Sequence, residues 1–366
     1  VRIKFMKPPL LPLAVSLLIL ASTSAALGAP ARELPDKAVI DMHCHVAGMG
    51  EGGSGCFVSP ALRRSYKFPF YMRSFGASLP EIQKKGDLLI AERLVRRVSQ
   101  SRRVGKLVLL ALDGVVDTGG ALDRENTEFY VPNEYVARLA SEHPEFLFGA
   151  SVNPLRRDAL ERLDWASAHG AVLVKWLPAI QHFDPSDPRL IPFYRKLVDL
   201  DLPLLVHTGD EHAFSTADNR YSDPALLRLP ASLGVKLIVA HAAQPGNYDG
   251  EDSLDRLCKL AKDYPTVYAD ISALTLLLKR RALPKVLRRE ELKGRLVYGS
   301  DFPLIEIAGI NTAWAFLPQL GLKQTWKISH ISNPWDRDVA LKRALGVPDE
   351  VFMRIQGLFP RQRQGG

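Results

Sequence analysis

Cysteine is scarce and odd in number: Cys44, Cys56 and Cys258 are the only three. That excludes a disulfide-built scaffold and leaves room for one bridge and one free thiol at most. Long apolar runs are missing after residue 31, so no later stretch suits a bilayer-spanning helix, which needs ~20 apolar residues. The chain has no internal repeat, no low-complexity tract and no clear linker. A strong charge of either sign is also lacking. The formal net charge is +8, a mild excess compatible with anionic substrates, but by itself no nucleic-acid signature.

The first residues carry a different signal. Arg2, Lys4 and Lys7 form a basic start, Leu10 to Leu20 is almost wholly apolar, and Ser24-Ala25-Ala26 offers a small-residue cleavage site. This pattern reads as a secretory signal peptide, with Met6 a candidate initiator. The apolar core is too short for a spanning anchor, and no cysteine nearby offers a lipid attachment point. Residues 1–31 are therefore expected to be leader and mature N-terminus, 32–360 the folded domain, and 361–366 a disordered tail. The mature protein is expected to be periplasmic or secreted, without stable membrane insertion. Loss of the three basic leader residues lowers the net charge to about +5.

Eight short apolar runs follow: Ala38–Asp41, Leu107–Leu112, Phe146–Val152, Ala171–Trp176, Leu202–Val206, Val235–Ala240, Val267–Ile271 and Arg295–Tyr298. They are unbroken and rich in Val, Leu and Ile, as parallel strands covered by helices tend to be. Helical patterns alternate with them, over Lys85–Arg102, Asn133–Glu142, Arg156–His169, Pro188–Asp199, Pro224–Leu233, Ser253–Asp263 and Ala273–Arg289. Eight strands alternating with helices point to an α/β fold, a single-domain (β/α)8 TIM barrel, with a doubly wound open sheet as the alternative. Two long βα loops, from Val46 to about Gly76 and over Asp113–Tyr130, fall on the face where barrels bind substrates. Gly48-Met-Gly50-Glu-Gly-Gly53 matches a dinucleotide-binding spacing but runs into Ser54-Gly55-Cys56-Phe57, a poor helix start, so NAD or FAD binding is not expected.

Asp41-Met-His43-Cys44-His45 ends the first run. Alternate strand residues share a face, so His43 and His45 are expected to project together, with Asp41 on the same side and Cys44 on the other. Two imidazoles so placed suit a divalent metal, zinc above all. A Cys44–Cys56 disulfide is the weaker alternative to a core thiol at Cys44. The later strand ends add Lys175, His207, His241, Asp270 and Asp301, the positions where a barrel places chemistry.

Asp41-x-His43-x-His45, His207, His241 and Gly299-Ser300-Asp301-Phe-Pro together resemble the amidohydrolase superfamily, in its amidohydrolase-related branch of metal-dependent hydrolases and decarboxylases. Val174-Lys175-Trp-Leu-Pro, Gln181 and Asp184-Pro-Ser-Asp187-Pro are similar to a further segment of that branch. The resemblance implies that His43, His45, His207 and Asp301 bind a divalent metal, most simply one zinc ion. Either Asp301 or His241 would take the proton of the attacking water, His241 otherwise polarising the scissile carbonyl. Lys175 would be carboxylated and bridge two metals, or remain a plain ammonium beside one; the second is preferred. Asp270 would support a ligating histidine or cap the sheet end. His212 and His182 are candidate substrate contacts, while His143, His169 and His330 read as surface or structural. The run Arg280, Arg281, Arg288 and Arg289 reads as a solvated face.

The expected activity is hydrolysis of an amide, lactone or ester carbonyl in a small, anionic-leaning molecule. Non-oxidative decarboxylation of an aromatic or enoic acid on the same site is the alternative, and a non-catalytic exported binding barrel a third. Decarboxylation is less favoured because His241 is followed by Ala-Ala-Gln-Pro-Gly rather than a glycine-rich stretch. No nucleic-acid partner is expected, and a homo-oligomer is compatible with the sequence. Expression of the full chain in a bacterial host should yield a periplasmic protein whose N-terminal sequencing starts near Leu27; an intact leader on the mature protein would refute export by cleavage.

Overall fold

The computed structural model describes residues 33–360 apart from 67 and 308. The leader and the C-terminal tail therefore lie outside the described residues. Eight strands form the frame: β1 Val39–His45, β2 Val104–Leu110, β3 Phe146–Ala150, β4 Ala171–Trp176, β5 Leu204–Val206, β6 Leu237–Val239, β7 Val267–Asp270 and β8 Leu296–Val297. They pair in chain order in one sheet, every pair parallel. The sheet curls back on itself. Asp301 N donates to His43 O at 2.9 Å and His45 N to Phe302 O at 3.0 Å, joining the chain after β8 to β1. The architecture is the (β/α)8 TIM barrel, and the described residues from Leu34 onward form one compact unit.

Two apolar layers divide the strand residues. Met42, Val108, Leu110, Leu173, Leu205, Ile238 and Val297 fill the barrel interior, closed below by Ile355 and Leu358. Val39, Cys44, Val174, Trp176, Leu204, Val206 and Trp335 belong to the larger layer between sheet and helices. Both faces of each strand are thus buried, which is why the runs are unbroken in sequence; each buried Val, Leu or Ile contributes about 1.5–3 kcal/mol.

Strand β1 departs from simple alternation. Its register against β2 shifts between Asp41, opposite Leu107, and Cys44, opposite Leu109. Three residues answer two, and an irregularity of one residue exchanges the two faces. Met42 consequently packs in the interior and Cys44 in the outer layer. The expectation that Asp41 shares a face with His43 and His45 is overturned: Asp41 turns outward and accepts from Trp335 Nε1 at 2.8 Å, on helix Pro334–Ala344.

Helices Asn133–Glu142 and Ser253–Asp263 have the expected bounds. The helix expected over Ala273–Arg289 is instead a 3-10 turn at Leu277–Lys279 and a short helix at Ala282–Leu287. Pro284 explains the break, since its ring clashes with a helical carbonyl four residues earlier and its nitrogen has no proton to give. Among the described residues no helix is long and apolar enough to cross a membrane.

The two long loops are tied together. Phe57–Val58 in the first pairs antiparallel with Phe129–Tyr130 in the second. The glycine stretch at the start of the first loop wraps a carboxylate, not a phosphate: Asp87 accepts from Met49 N at 2.8 Å, Gly50 N at 2.9 Å and the Ser54 hydroxyl. A Cβ on Gly48 would lie 2.5 Å from Asp87 Oδ2 and 2.7 Å from Cys56 Sγ, so close packing demands the glycine.

All three cysteines are free and buried, so the Cys44–Cys56 bridge does not form. Burial pushes the Cys56 and Cys258 thiols up to about 12. Native protein should therefore be nearly inert to a thiol reagent at pH 8, whereas denatured, unreduced protein should titrate three thiols; a count that rises only after reduction would contradict this.

Candidate active site

The strand ends converge above the interior layer. From β1, His43 Nδ1 is 2.8 Å from Asp270 Oδ2 at the end of β7. That bond sets the tautomer and turns His43 Nε2 toward the centre. There Nε2 is 3.2 Å from Lys175 Nζ on β4 and 3.5 Å from Asp301 Oδ1. His45 Nε2 lies 3.2 Å from the same Asp301 oxygen, and His241 Nε2 lies 3.8 Å from the other. Ser272 Oγ is 2.8 Å from His241 Nδ1, and Asp270 Oδ1 accepts from His241 N at 2.8 Å. His207 packs edge-on to His241, with ring centroids 5.2 Å apart.

The backbone is strained where these side chains emerge. His241, Ala242 and Ala243 have φ of 54°, 46° and 59°, and Asp301 has φ of 61°. Each such left-handed residue without a glycine costs about 1–3 kcal/mol, a cost that clusters at functional sites.

The protonation states suit a cation. Burial holds His43 below its ordinary range and His207 well below it, and lowers His241 to about 3. Burial thus favours the neutral imidazole, the form that donates a lone pair to a metal. Burial works against the charge on Asp301, but the attraction of protons shared with His241 and His43 and a hydrogen bond from His45 hold it well below the usual carboxylate range, a role that a cation at the centre would take over. His207 Nε2 is buried without a hydrogen-bond partner, 3.5 Å from Glu211 Oε2. An orphaned imidazole nitrogen beside neutral histidines and an ionised carboxylate is a donor set that fits a divalent ion of zinc's kind. Among the described residues His43, His241 and Asp301 have ligand atoms that all lie within 4.8 Å of one another and could hold a metal ion. His45, 3.2 Å from Asp301 Oδ1, and His207, packed on His241, adjoin that trio.

A cavity of about 1030 Å³ opens from this cluster. Leu62, Phe68, Tyr71, Met72 and Phe75 of the first long loop and Leu112 and Phe129 near the second form its apolar walls.

A family model described as amidohydrolase matches residues 40–328. The chain belongs to the amidohydrolase family. Among solved structures, an uncharacterised TIM-barrel protein from Bordetella bronchiseptica is 15% identical, with a TM-score of 0.51 over 83% of this chain and 99% of that one. A probable 2-pyrone-4,6-dicarboxylic acid hydrolase from Acinetobacter baumannii is 12% identical, with a TM-score of 0.49 over 89% of this chain and 97% of that one. A 5-carboxyvanillate decarboxylase from Sphingomonas paucimobilis is 12% identical, with a TM-score of 0.49 over 88% of this chain and 97% of that one. Such identities speak for the fold alone. No curated protein matches the chain.

In this member of the amidohydrolase family the candidate substrate contacts separate. His212 lines the cavity, whereas His182 turns its Nε2 to Thr216 O at 2.8 Å and is absent from the cavity wall. His169 and His330 follow the ends of their helices, stacked on Trp165 and Trp326 four residues back. Arg280 and Arg281 are exposed, as a solvated face requires, and also line the cavity. Sequence reasoning missed Glu211, Ser272 and Lys279. Glu211 and Ser272 follow the strand-end residues His207 and Asp270 by four and two positions, a proximity that would have flagged them.

Asp270→Asn removes the charge that fixes His43 while keeping the shape. It should weaken metal affinity about 10–100-fold, measured by competition with a chelator, with little change in melting temperature; unchanged affinity would show that Asp270 only caps the sheet.

Proposed function

We propose that this amidohydrolase is a metal-dependent hydrolase acting on an amide, lactone or ester carbonyl of a small molecule, with zinc its natural metal. The observation that carries the reading is the meeting of buried His43, His241 and Asp301, close enough to hold a metal ion, beside a largely apolar cavity. His43, His241 and Asp301, with His45 and His207 beside them, would hold the metal. When bound, the ion supplies a Lewis acid and lowers the pKa of a water toward ~7.

The chain's own groups handle the protons and the orientation. With His241 Nε2 turned to the ion, 3.8 Å from Asp301 Oδ2, the Asp301 carboxylate would take the proton from the water and pass it to the leaving group. Ser272 holds the far side of the His241 ring, through Oγ at 2.8 Å and its carbonyl at 3.2 Å. Burial lowers the Lys175 ammonium to about 8, against the pull of Asp270 and Asp301. As an ammonium it would stabilise negative charge developing on the carbonyl oxygen. The apolar walls keep bulk water from competing.

Two measurements test this. His43→Ala and Asp301→Ala should each lower turnover of aryl ester and lactone substrates by at least about 10³-fold, in line with loss of a group that stabilises the transition state, and both should lose metal by elemental analysis. The wild type should carry one equivalent per chain; two would favour a carboxylated, bridging Lys175. Full activity after chelation, or carbon dioxide release from an aromatic acid with no ester or lactone turnover, would overturn the hydrolase reading.

A further inference from the structure

Lys279 stands apart from the groups used so far. It sits at the end of the turn Leu277–Lys279 after β7, half-buried, and lines the cavity. Among the described residues no carboxylate oxygen lies within 4 Å of its Nζ, and no hydrogen bond to that atom is formed, whereas Lys285 is paired with Asp252 at 2.6 Å and Arg289 with Asp255; Arg280 and Arg281, which line the same cavity, are exposed to solvent, while Lys279 is half-buried. A half-buried ammonium without a close partner is costly unless something supplies the missing charge. Its electrostatic neighbours are the centre's own acids: Asp301, Glu211 and Asp270 are the charges that favour its protonated form.

The space in front of it is large. At about 1030 Å³ the cavity reaches the upper end of the roughly 300–1,000 Å³ that drug-sized ligands occupy. Leu62, Phe68, Tyr71, Met72 and Phe75 line the wall given by the first long loop, and Leu304 and Ile310 come from the chain after β8. Its charged lining is Asp210, Glu211 and Asp301 on the acidic side and Lys175, Lys279, Arg280, Arg281 and Lys285 on the basic side, an excess of cations that favours an anionic ligand.

We propose that the natural substrate is a carboxylate with an extended apolar body, and that Lys279 receives its carboxylate while the loop helices hold the body. This specificity role rests on the hydrolase reading for the chemistry, but not for the binding. Lys279 is a substrate-binding residue in this scheme. The scissile carbonyl then lies between the two, beside Asp301 and His241, and a compact acid that cannot reach the Phe68–Phe75 wall is a poor ligand.

Isothermal titration calorimetry of the metal-replete protein tests this with three probes: 6-phenylhexanoate, its neutral counterpart 6-phenylhexan-1-ol, and benzoate. Wild type should bind 6-phenylhexanoate at least ten-fold more tightly than either of the others. Lys279→Gln should lower affinity for the acid ten-fold or more and leave the alcohol unchanged, and Lys279→Arg should restore most of the loss. Equal binding of acid and alcohol, equal binding of benzoate and 6-phenylhexanoate, or an unchanged acid affinity in Lys279→Gln would each overturn the proposal. An acid affinity that falls in His43→Ala but not in Lys279→Gln would place the carboxylate on the metal and would also refute it. Because binding is read without turnover, a failure here is separable from failure of the hydrolase reading, and the melting temperature of each variant controls for folding.

Discussion

Asp41 is the fixed point of the molecule. Its carboxylate accepts four hydrogen bonds, from His43 N, from the backbone and hydroxyl of Ser300, and from Trp335 Nε1. The first strand, the chain leaving the last strand and an outer helix thereby share one anion in a dry environment. Burial still dominates its chemistry and raises its pKa to about 6 despite the four donors. A carboxylate desolvated to that degree tolerates little displacement, because any donor that withdraws leaves an acceptor with no water to replace it. The position of His43 and the turn that presents Asp301 are both fixed by this group.

A second buried acid works on the opposite face. Asp270 touches His43 Nδ1, His241 N and the Ser272 hydroxyl and backbone. Where Asp41 fixes backbone, Asp270 fixes a ring orientation, and the facing His43 overrides the effect of burial to hold it well below the usual carboxylate range. Helix Pro334–Ala344 adds a third support. Lys342 Nζ donates to Gly299 O at 3.0 Å and to Asp338 Oδ2 at 2.7 Å, all within the core. The segment Gly299–Asp301 is therefore held from the outer helix through Lys342 and from β1 through Asp41, so the strained backbone of Asp301 is the one conformation its surroundings allow.

Much of this was legible in the sequence, for a physical reason. Parallel strands buried on both faces must be unbroken apolar runs, and those runs located all eight strands. The residues at their C-terminal ends, Lys175, His207, His241, Asp270 and Asp301, converge because a barrel brings such ends together. Parity within β1 was not legible. Alternation placed Asp41 with the histidines, and only the shifted register against β2, a property of the pair rather than of either strand, reveals the opposite. The break before Ala282 was readable at Pro284, yet the apolar periodicity around it obscured the signal. Lys279 was hidden for another reason: it lies in a short turn well past the end of β7, where no periodicity assigns a direction to a side chain.

The seam between β1 and the chain after β8 has a consequence for how the molecule comes into being. The bonds that close it join residues 259 and 294 positions apart in sequence. Contacts of such separation form late, after the chain between them has collapsed into strands and helices. His43 and His45 are made early in synthesis, but Asp301 and the Trp335 that braces Asp41 are made near its end. A growing chain thus carries two histidines without their carboxylate, and the complete cation-binding centre comes into existence only when the barrel shuts.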